Sequence, residues 1–191
     1  CGKSTYGIRF FINSAYTFKI VYDFEDEWEE RLHDFRQNFV VCRTAEELDA
    51  VFSLKDFDGL SRIIVFNPES IFGSDIQGGF DFLCEYVFTI AADLPGTKLL
   101  ATDELQTFVG SSALSGAFRD VIIRGRKRAL DFVCIQDAFN LIHNTVRAQF
   151  TEIVAFRTTE PRHLEPLSDY GFSESAIATL PNLPDGTFVL R

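Results

Sequence analysis

The chain has 191 residues, of which 46% are hydrophobic, and a formal net charge of −10. This length predicts one large domain with a sizeable core, and the acidic balance argues against a protein that coats nucleic acid over its whole surface. The apolar runs fall short of the roughly 20 residues that a membrane helix needs, so we expect a soluble protein. Because the sequence contains no Met, even at position 1, we expect a fragment or a chain that lacks residues before Cys1.

The four cysteines, Cys1, Cys42, Cys84 and Cys134, lie far apart and form no C-x-x-C pair. They share no metal-ligand spacing with the three histidines. We therefore expect buried free thiols in a reducing compartment rather than disulfides or a zinc site.

Short runs of β-branched and aromatic residues alternate with longer amphipathic stretches, an order typical of an α/β domain with a largely parallel sheet. Most runs are continuously apolar, as expected for strands that helices cover on both faces. The predicted strands are residues 18–22, 39–42, 63–66, 98–101, 132–135 and 153–156. The turn at 184–186 predicts a last edge strand, parallel or antiparallel, at 187–190. No change in composition indicates a linker, so residues 1–191 are expected to form one domain.

Helices are predicted between these strands. Thr44, followed by Glu46 and Glu47, is typical of an N-cap with an acidic first turn and opens a helix to about residue 54. The other predicted helices are residues 79–92, 112–128, 137–150 and, shorter, 161–170. Gly171 is the expected stop signal of the last one.

The chain begins Cys1-Gly2-Lys3-Ser4-Thr5, and we expect these five residues to bind ATP. They match the last part of the phosphate-loop pattern G-x-x-x-x-G-K-[ST]. Gly2 lets the backbone curl so that N–H groups face a phosphate at the positive end of the following helix. Lys3 can reach the β- and γ-phosphates, Ser4 can ligate Mg²⁺, and Thr5 can bond the α-phosphate. The alternative is a chance G-K-S-T in a flexible terminus.

A second candidate feature is the strand that ends in Asp103 and Glu104. Ligands of parallel α/β sheets bind at the carboxyl edge, where this pair would lie. In the Walker B arrangement Asp103 holds the Mg²⁺ shell and Glu104 acts as general base on the attacking water. The alternative is ordinary strand-end solubility. Residues 23–27 and 67–69 also carry acids after strands and are weaker candidates for the metal, the first being interpreted as a solvated helix start.

The next predicted strand ends in Gln136. A polar side chain at this place can hydrogen-bond the γ-phosphate or the lytic water and report hydrolysis. The alternative is a glutamine that caps the following helix.

The order G-K-S-T, L-L-A-T-D-E, R-G-R-K-R and a strand ending I-Q resembles the FtsK–HerA superfamily of DNA-pumping ATPases, over residues 1 to about 160. Among its branches, the chain looks most like the genome-packaging ATPases of tailless, membrane-containing viruses and related filamentous-phage assembly proteins. The resemblance implies a P-loop NTPase (RecA-like) three-layer sandwich with a mainly parallel central sheet. It also implies a ring, usually a hexamer, with ATP and Mg²⁺ at subunit boundaries and double-stranded DNA in the centre.

The resemblance further implies an arginine finger that reaches the γ-phosphate of the neighbouring subunit. Arg124 and Arg126 match the basic segment that precedes the glutamine strand, and Arg147 is a rival. An arginine at this position stabilises the charge of the transition state and contributes about 10³–10⁵ in rate. The alternatives for the basic segment are contacts with a phosphate backbone and a solvated helix end.

The function that we expect is an ATP-driven motor that translocates double-stranded DNA into a preformed virus capsid. Such a protein would act in the host cytoplasm or the virion, with a capsid vertex or a membrane protein as a further partner. The alternative is a P-loop ATPase of phage assembly, secretion or membrane-coupled morphogenesis, which would share the same catalytic residues. A nucleotide kinase would require an arginine-rich lid, which the sequence does not show.

Overall fold

Five parallel strands form the centre of the molecule, for which a computed structural model describes residues 2–53, 62–110 and 113–191. The strands are β1 (Phe18–Tyr22), β2 (Val40–Cys42), β3 (Arg62–Phe66), β4 (Lys98–Asp103) and β5 (Leu130–Ile135). Their order across the sheet is β2–β3–β1–β4–β5, and every neighbouring pair is parallel. All five carboxyl ends therefore lie along one edge, which places the residues after β4 beside those after β5.

Helices cover both faces of this sheet. They are α1 (Lys3–Asn13), α2 (Glu27–Asp34), α3 (Ala45–Phe52), α4 (Glu69–Phe72), α5 (Ile76–Ile90), α6 (Gly116–Arg124), α7 (Asn144–Arg147), α8 (Pro161–Leu164) and α9 (Glu174–Thr179). Short 3₁₀ helices lie at Leu105–Thr107, Gly125–Arg128, Phe139–Leu141, Glu165–Tyr170 and Leu180–Asn182. None of the helices in the described ranges is long and apolar enough to cross a membrane.

Two hydrophobic cores, one on each face, make the fold a three-layer sandwich. Ile20 of β1 packs into the core that α3, α5 and α6 cover, and the next residue, Val21, packs into the core under α1 and α2. This alternation follows from the period-2 geometry of a strand, and it requires apolar residues at every position of a strand that is buried on both faces. The predicted fold class and the continuous apolar strands are thus confirmed.

A smaller antiparallel pair, β6 (Val154–Phe156) and β7 (Phe188–Leu190), lies outside the main sheet. The strand predicted at 153–156 therefore joins the C-terminal edge strand instead of the parallel sheet. Around this pair, Leu167, Phe172 and Leu180 form a separate hydrophobic cluster.

Three of the predicted helices, α3, α5 and α6, form at the predicted places but differ in extent. Thr44 caps α3 in a complete capping box with Glu47, as predicted. Helix α5 begins three residues earlier than predicted because the Asp75 side chain accepts from Gly78 N–H as its N-cap. Helix α6 begins later, at Gly116, after an N-cap on Ser115, and its regular part ends at Arg124. The predicted start of that helix, Ser112, lies outside the described residues.

The helix predicted at 137–150 was wrong. Buried Ala138, Ile142 and Val146 have the four-residue spacing of a helix face, but the backbone is extended at Ala138 and Ile142. Only two short turns form, and the His143 ring accepts from Thr145 N–H at the second one. Polar side chains that bond the local backbone compete with a continuous helix in this way.

Candidate nucleotide site at the carboxyl edge of the sheet

The phosphate-loop residues lie at the start of α1. Gly2 is the N-cap, and its carbonyl accepts from Tyr6 N–H at 2.9 Å. A Cβ on Gly2 would lie 3.0 Å from the Cα of Gly186, so the close approach of the C-terminal turn requires a glycine here. Ser4 is half-buried and Thr5 is exposed, and Cys1 lies outside the described residues. The free N–H groups and dipole of this eleven-residue helix can hold an anion.

Carboxylates surround the ammonium group of Lys3. It forms an ion pair with Asp137, the residue after the predicted sensor glutamine. Burial lowers the pKa of Lys3, and the nearby charges of Asp103 and Glu104 raise it again. Lys3 thus lies on the same side of the molecule as the acidic pair, about a hundred positions later in the chain. This is the arrangement that the phosphate-loop hypothesis requires.

Asp103 ends β4, and Glu104 follows it in the left-handed backbone region with φ 47°. Glu104 N–H donates to Ile135 O at 2.9 Å and to Asp103 Oδ1 at 2.9 Å, which ties the acidic pair to the end of β5. A left-handed non-glycine residue costs about 1–2 kcal/mol and is typical of functional sites. Burial raises the pKa of Asp103, against the opposing effects of Glu104 N–H and the Arg31 guanidinium.

Gln136 provides an independent sign that a ligand belongs here. It follows β5, and neither its Nε2 nor its Oε1, both buried, has a hydrogen-bond partner in the described part of the chain. An unsatisfied buried amide costs about 1–3 kcal/mol, so a folded protein keeps one where a ligand or water completes it. The side chain lines a cavity of about 250 Å³ that Lys3 also lines. Because the helix predicted at 137–150 does not form, there is no long helix for Gln136 to cap.

The cations of the basic segment differ in how far their own chain already uses them. Arg128 lies over the Phe88 ring at 3.8 Å and donates to Phe88 O, and Arg124 pairs with Asp120 at 3.0 Å. Arg126 is exposed, and no ion pair with it is found within the described ranges. The segment precedes β5, whereas Gln136 follows it, so the length of the strand, about 20 Å at 3.3 Å per residue, separates the two.

The rival finger, Arg147, contacts groups of its own chain. It donates to Asn144 Oδ1, and its guanidinium lies 5.6 Å from the Phe139 ring centroid and 5.5 Å from that of Tyr170. These contacts favour a structural role for Arg147.

Of the acids that follow β1, Glu25, Asp26 and Glu27 are exposed at the start of α2, as predicted, and Asp23 differs. Asp23 was expected in a solvated helix start, but it is 2% exposed. Its carboxylate accepts from Glu27, Trp28 and Glu29 N–H at 3.1, 3.1 and 3.2 Å, and so caps α2. Asp23 lies four residues before Glu27, the first residue of α2, and therefore outside the usual N-cap position, which is why its capping role was missed.

The second acidic rival, at residues 67–69, is also structural. Asn67 is 5% exposed, its amide donates to Asp26, and its Oδ1 accepts from Glu69 N–H at 3.0 Å. Its polar atoms are engaged within the fold. Arg31 and Asp137, in contrast, contact candidate site residues and were missed. Nothing in the local sequence indicates that Arg31 reaches Asp103, whereas Asp137 directly follows Gln136 and could have been included for that reason.

The residues at this edge fit a magnesium nucleotide. Within the described ranges, no group of three or more His, Cys, Asp or Glu side chains is placed to hold a metal by itself. Ser4 and Asp103 would supply two oxygens, and phosphate oxygens would complete the coordination, which is the usual way that Mg²⁺ binds in nucleotide sites. The unpartnered Gln136 amide is consistent with a further ligand at the same place.

The sheet order, the covered faces and the helix that begins at Lys3 define the fold of a P-loop NTPase. Neither a protein-family model nor a curated protein matches the sequence. Among solved structures, the chain is similar to the genome packaging NTPase B204 from Sulfolobus turreted icosahedral virus 2 in complex with AMPPCP. The TM-score is 0.69 at 18% identity, over 99% of this chain and 85% of that one. The same NTPase in complex with ATP-gammaS gives 0.59 at 16% identity, over 93% and 92%. At these identities the likeness shows the fold.

Proposed function

We propose that this chain is the ATP-hydrolysing domain of a motor that translocates double-stranded DNA, and that it packages a viral genome into a preformed capsid. The observation that carries the proposal is the convergence of Lys3, Asp103, Glu104 and the unpartnered Gln136 on one edge of the sheet. The fold is shared with NTPase B204, whose complex with an ATP analogue supports the choice of nucleotide.

Each residue has a role that follows from its place. Lys3 and the N–H groups of α1 bind the phosphates, and Ser4 and Asp103 orient the metal shell. When bound, Mg²⁺ neutralises charge on the phosphate oxygens. Glu104 takes a proton from the attacking water, and Gln136 bonds the γ-phosphate side of the site and registers its loss.

The arginine finger in this proposal is Arg126, supplied by a neighbouring subunit. Arg126 is exposed and lies about one strand length, roughly 20 Å, from Gln136 of its own chain, beyond the reach of an arginine side chain. As a finger it would therefore complete the site of another copy, so the proposal includes a ring homo-oligomer. Arg124 is the second choice because Asp120 already pairs with it.

Mixing two inactive variants tests the finger. The Arg126→Gln subunit retains the base Glu104, and the Glu104→Gln subunit retains the finger Arg126. An interface between one subunit of each kind can therefore contain both Glu104 and Arg126. We expect Arg126→Gln alone to lose at least about 10³-fold in turnover and Glu104→Gln alone about 10²–10⁴-fold. The mixture should regain a measurable fraction of the lost turnover. A mixture as inactive as its components would exclude Arg126 as a finger in trans.

The polymer substrate is tested by the ATPase rate with and without linear double-stranded DNA. We expect DNA to raise the rate and salt to weaken this effect, because phosphate contacts release counterions. Lys127→Gln, which changes an exposed cation of the basic segment, should weaken the stimulation. Arg162→Gln, at a 73% exposed arginine in another part of the chain, is the charge-matched control. Hydrolysis that no nucleic acid stimulates would favour an assembly or secretion ATPase.

A further inference from the structure

Helix α2 and the turn before it have no part in the proposed roles, yet they lie against the site. The buried Asp23 carboxylate fixes the start of α2 by accepting three backbone N–H groups. On the other side, Trp28 and Leu32 are 2% and 0% exposed in the core under α1. Capping and packing together hold α2 in one position, and this position brings Arg31 to the end of β4.

Arg31 bridges α2 and the acidic strand end. Its Nη1 lies 3.4 Å from Asp103 Oδ2, and its Nη2 pairs with Glu27 of its own helix. The other oxygen of Asp103 accepts from Glu104 N–H at 2.9 Å. Both oxygens of the carboxylate are therefore fixed by groups of the chain itself. The Arg31 side chain is 29% exposed and that of Asp103 is 20% exposed, so solvent screens this pair only in part.

Negative charge prevails around this pair. Burial and the nearby charges of Glu104, Glu27 and Asp103 raise the pKa of Glu25. Lys3 is paired with Asp137, and in the part of the chain that the structure describes Arg31 is the cation that pairs with Asp103. Without Arg31, a set of carboxylates would face the site with little compensation and would attract a divalent cation even in the absence of a nucleotide.

We propose that Arg31 is the positioning residue of Asp103: it fixes the carboxylate for the metal shell and, by its charge, weakens the binding of a bare divalent ion before the nucleotide arrives. The inference rests on the proposed nucleotide site. Two properties of one side chain are involved, the fork that joins Asp103 to Glu27 and the positive charge, and they can be separated by substitution.

Binding of Mn²⁺ to the nucleotide-free protein, followed by electron paramagnetic resonance, tests the charge. We expect Arg31→Gln to tighten Mn²⁺ binding about tenfold, because it removes one positive charge, partly screened by solvent, from beside the ion. Adding Asp103→Asn should abolish this gain, because the ion then lacks its carboxylate. Arg43→Gln is the matched control, since it removes a 3.3 Å ion pair to Glu29 of the same helix. An unchanged Mn²⁺ affinity in Arg31→Gln would overturn the proposal.

Arg31→Lys tests the fork. It keeps the charge but cannot bind both carboxylates in one plane, so Mn²⁺ affinity should stay near the wild-type value. Turnover should fall about tenfold through kcat, the cost of a loosely held catalytic group, while KM for ATP changes little. Wild-type kcat in Arg31→Lys would refute the positioning role. A wild-type chain that hydrolyses no ATP would instead refute the proposed function, and the nucleotide-free Mn²⁺ measurement would still decide the role of the Arg31 charge.

Discussion

The two ends of the parallel sheet both carry buried charges, but they use them differently. At the amino end, Lys19 and Lys98 are each 2% exposed. Lys98 donates to Ala91 O, Leu94 O and Arg128 O at 3.1, 2.6 and 3.2 Å, and Lys19 donates to Ile12 O. These ammonium groups supply donors to backbone carbonyls at helix and turn ends, which otherwise lack them. The charges at this end stabilise the fold.

At the carboxyl end, the polar groups after β4 and β5 have fewer partners within the described part of the chain. Asp103 is held by one arginine and one N–H group, Glu104 has a left-handed backbone, and the Gln136 amide has no partner in the described part of the chain. Burial raises the pKa of Asp103 instead of being offset by a full set of donors. At the carboxyl edge the buried Asp23 after β1 is fully bonded, whereas the groups after β4 and β5 are short of partners in the described part of the chain. A ligand would complete this part of the edge.

The largest expected effect comes from removing the proposed base. Glu104→Gln keeps the size and the backbone of the residue but cannot accept a proton from water. We expect kcat for ATP hydrolysis to fall about 10²–10⁴-fold, the usual contribution of a general base, with ATP affinity within about twofold. Rapid-quench turnover and fluorescent nucleotide titration measure the two quantities. Undiminished hydrolysis would remove Glu104 as the base.

At the amino end the corresponding substitution should change stability and leave catalysis intact. Lys98→Met preserves the apolar stem but leaves the three carbonyls without their donor. We expect the free energy of unfolding to fall by about 2–3 kcal/mol and kcat per folded molecule to stay unchanged. Urea unfolding measures the free energy of unfolding. Lys127→Met, at an exposed lysine, is the control. A large loss of kcat with unaltered stability would contradict the division between the two ends.

Substitution of Gln136 should raise the stability of the protein and lower its kcat. Gln136→Leu removes a buried amide that has no partner within the described residues, so the free energy of unfolding should rise by about 1 kcal/mol. The same change removes the proposed sensor, and kcat should fall about tenfold, the size of one hydrogen bond. Gln149→Leu, at an exposed glutamine of the same region, should do neither. If Gln136→Leu destabilises the protein, the amide has a structural partner and the comparison loses its main support.

The sequence predicted that these residues meet at this edge because the signals are local. G-K-S-T at a helix start, and polar residues at the ends of continuous apolar strands, indicate phosphate and metal chemistry by short-range pattern alone. The parallel sheet then brings Lys3, Asp103 and Gln136 together, since all strands end at the same edge.

The partners that come from elsewhere in the chain could not be predicted. Arg31 reaches Asp103 because α2 is capped by a buried aspartate and packed by Trp28, and neither fact is visible before the helix is placed. The failure at 137–150 has a related cause: Ala138, Ile142 and Val146 are buried by the fold around them, which imitates the spacing of a helix face. A four-residue spacing of buried residues indicates a helix only where the backbone between them has helical dihedral angles.

The smallest expected effect is a pH dependence that belongs to the amino end. Burial lowers the pKa of Lys98, whereas a lysine of the unfolded chain titrates near about 10.4. Between these two pKa values the unfolded state binds more protons, so the Lys98 contribution to the free energy of unfolding rises with pH, by at most about 1.4 kcal/mol per pH unit. The stability difference between wild type and Lys98→Met should therefore widen as pH increases toward this upper limit, when urea unfolding is repeated at each pH. A constant difference for Lys98→Met would mean that the ammonium group of Lys98 has the same pKa in the folded and unfolded states of the wild type. Burial of its charge would then cost no free energy.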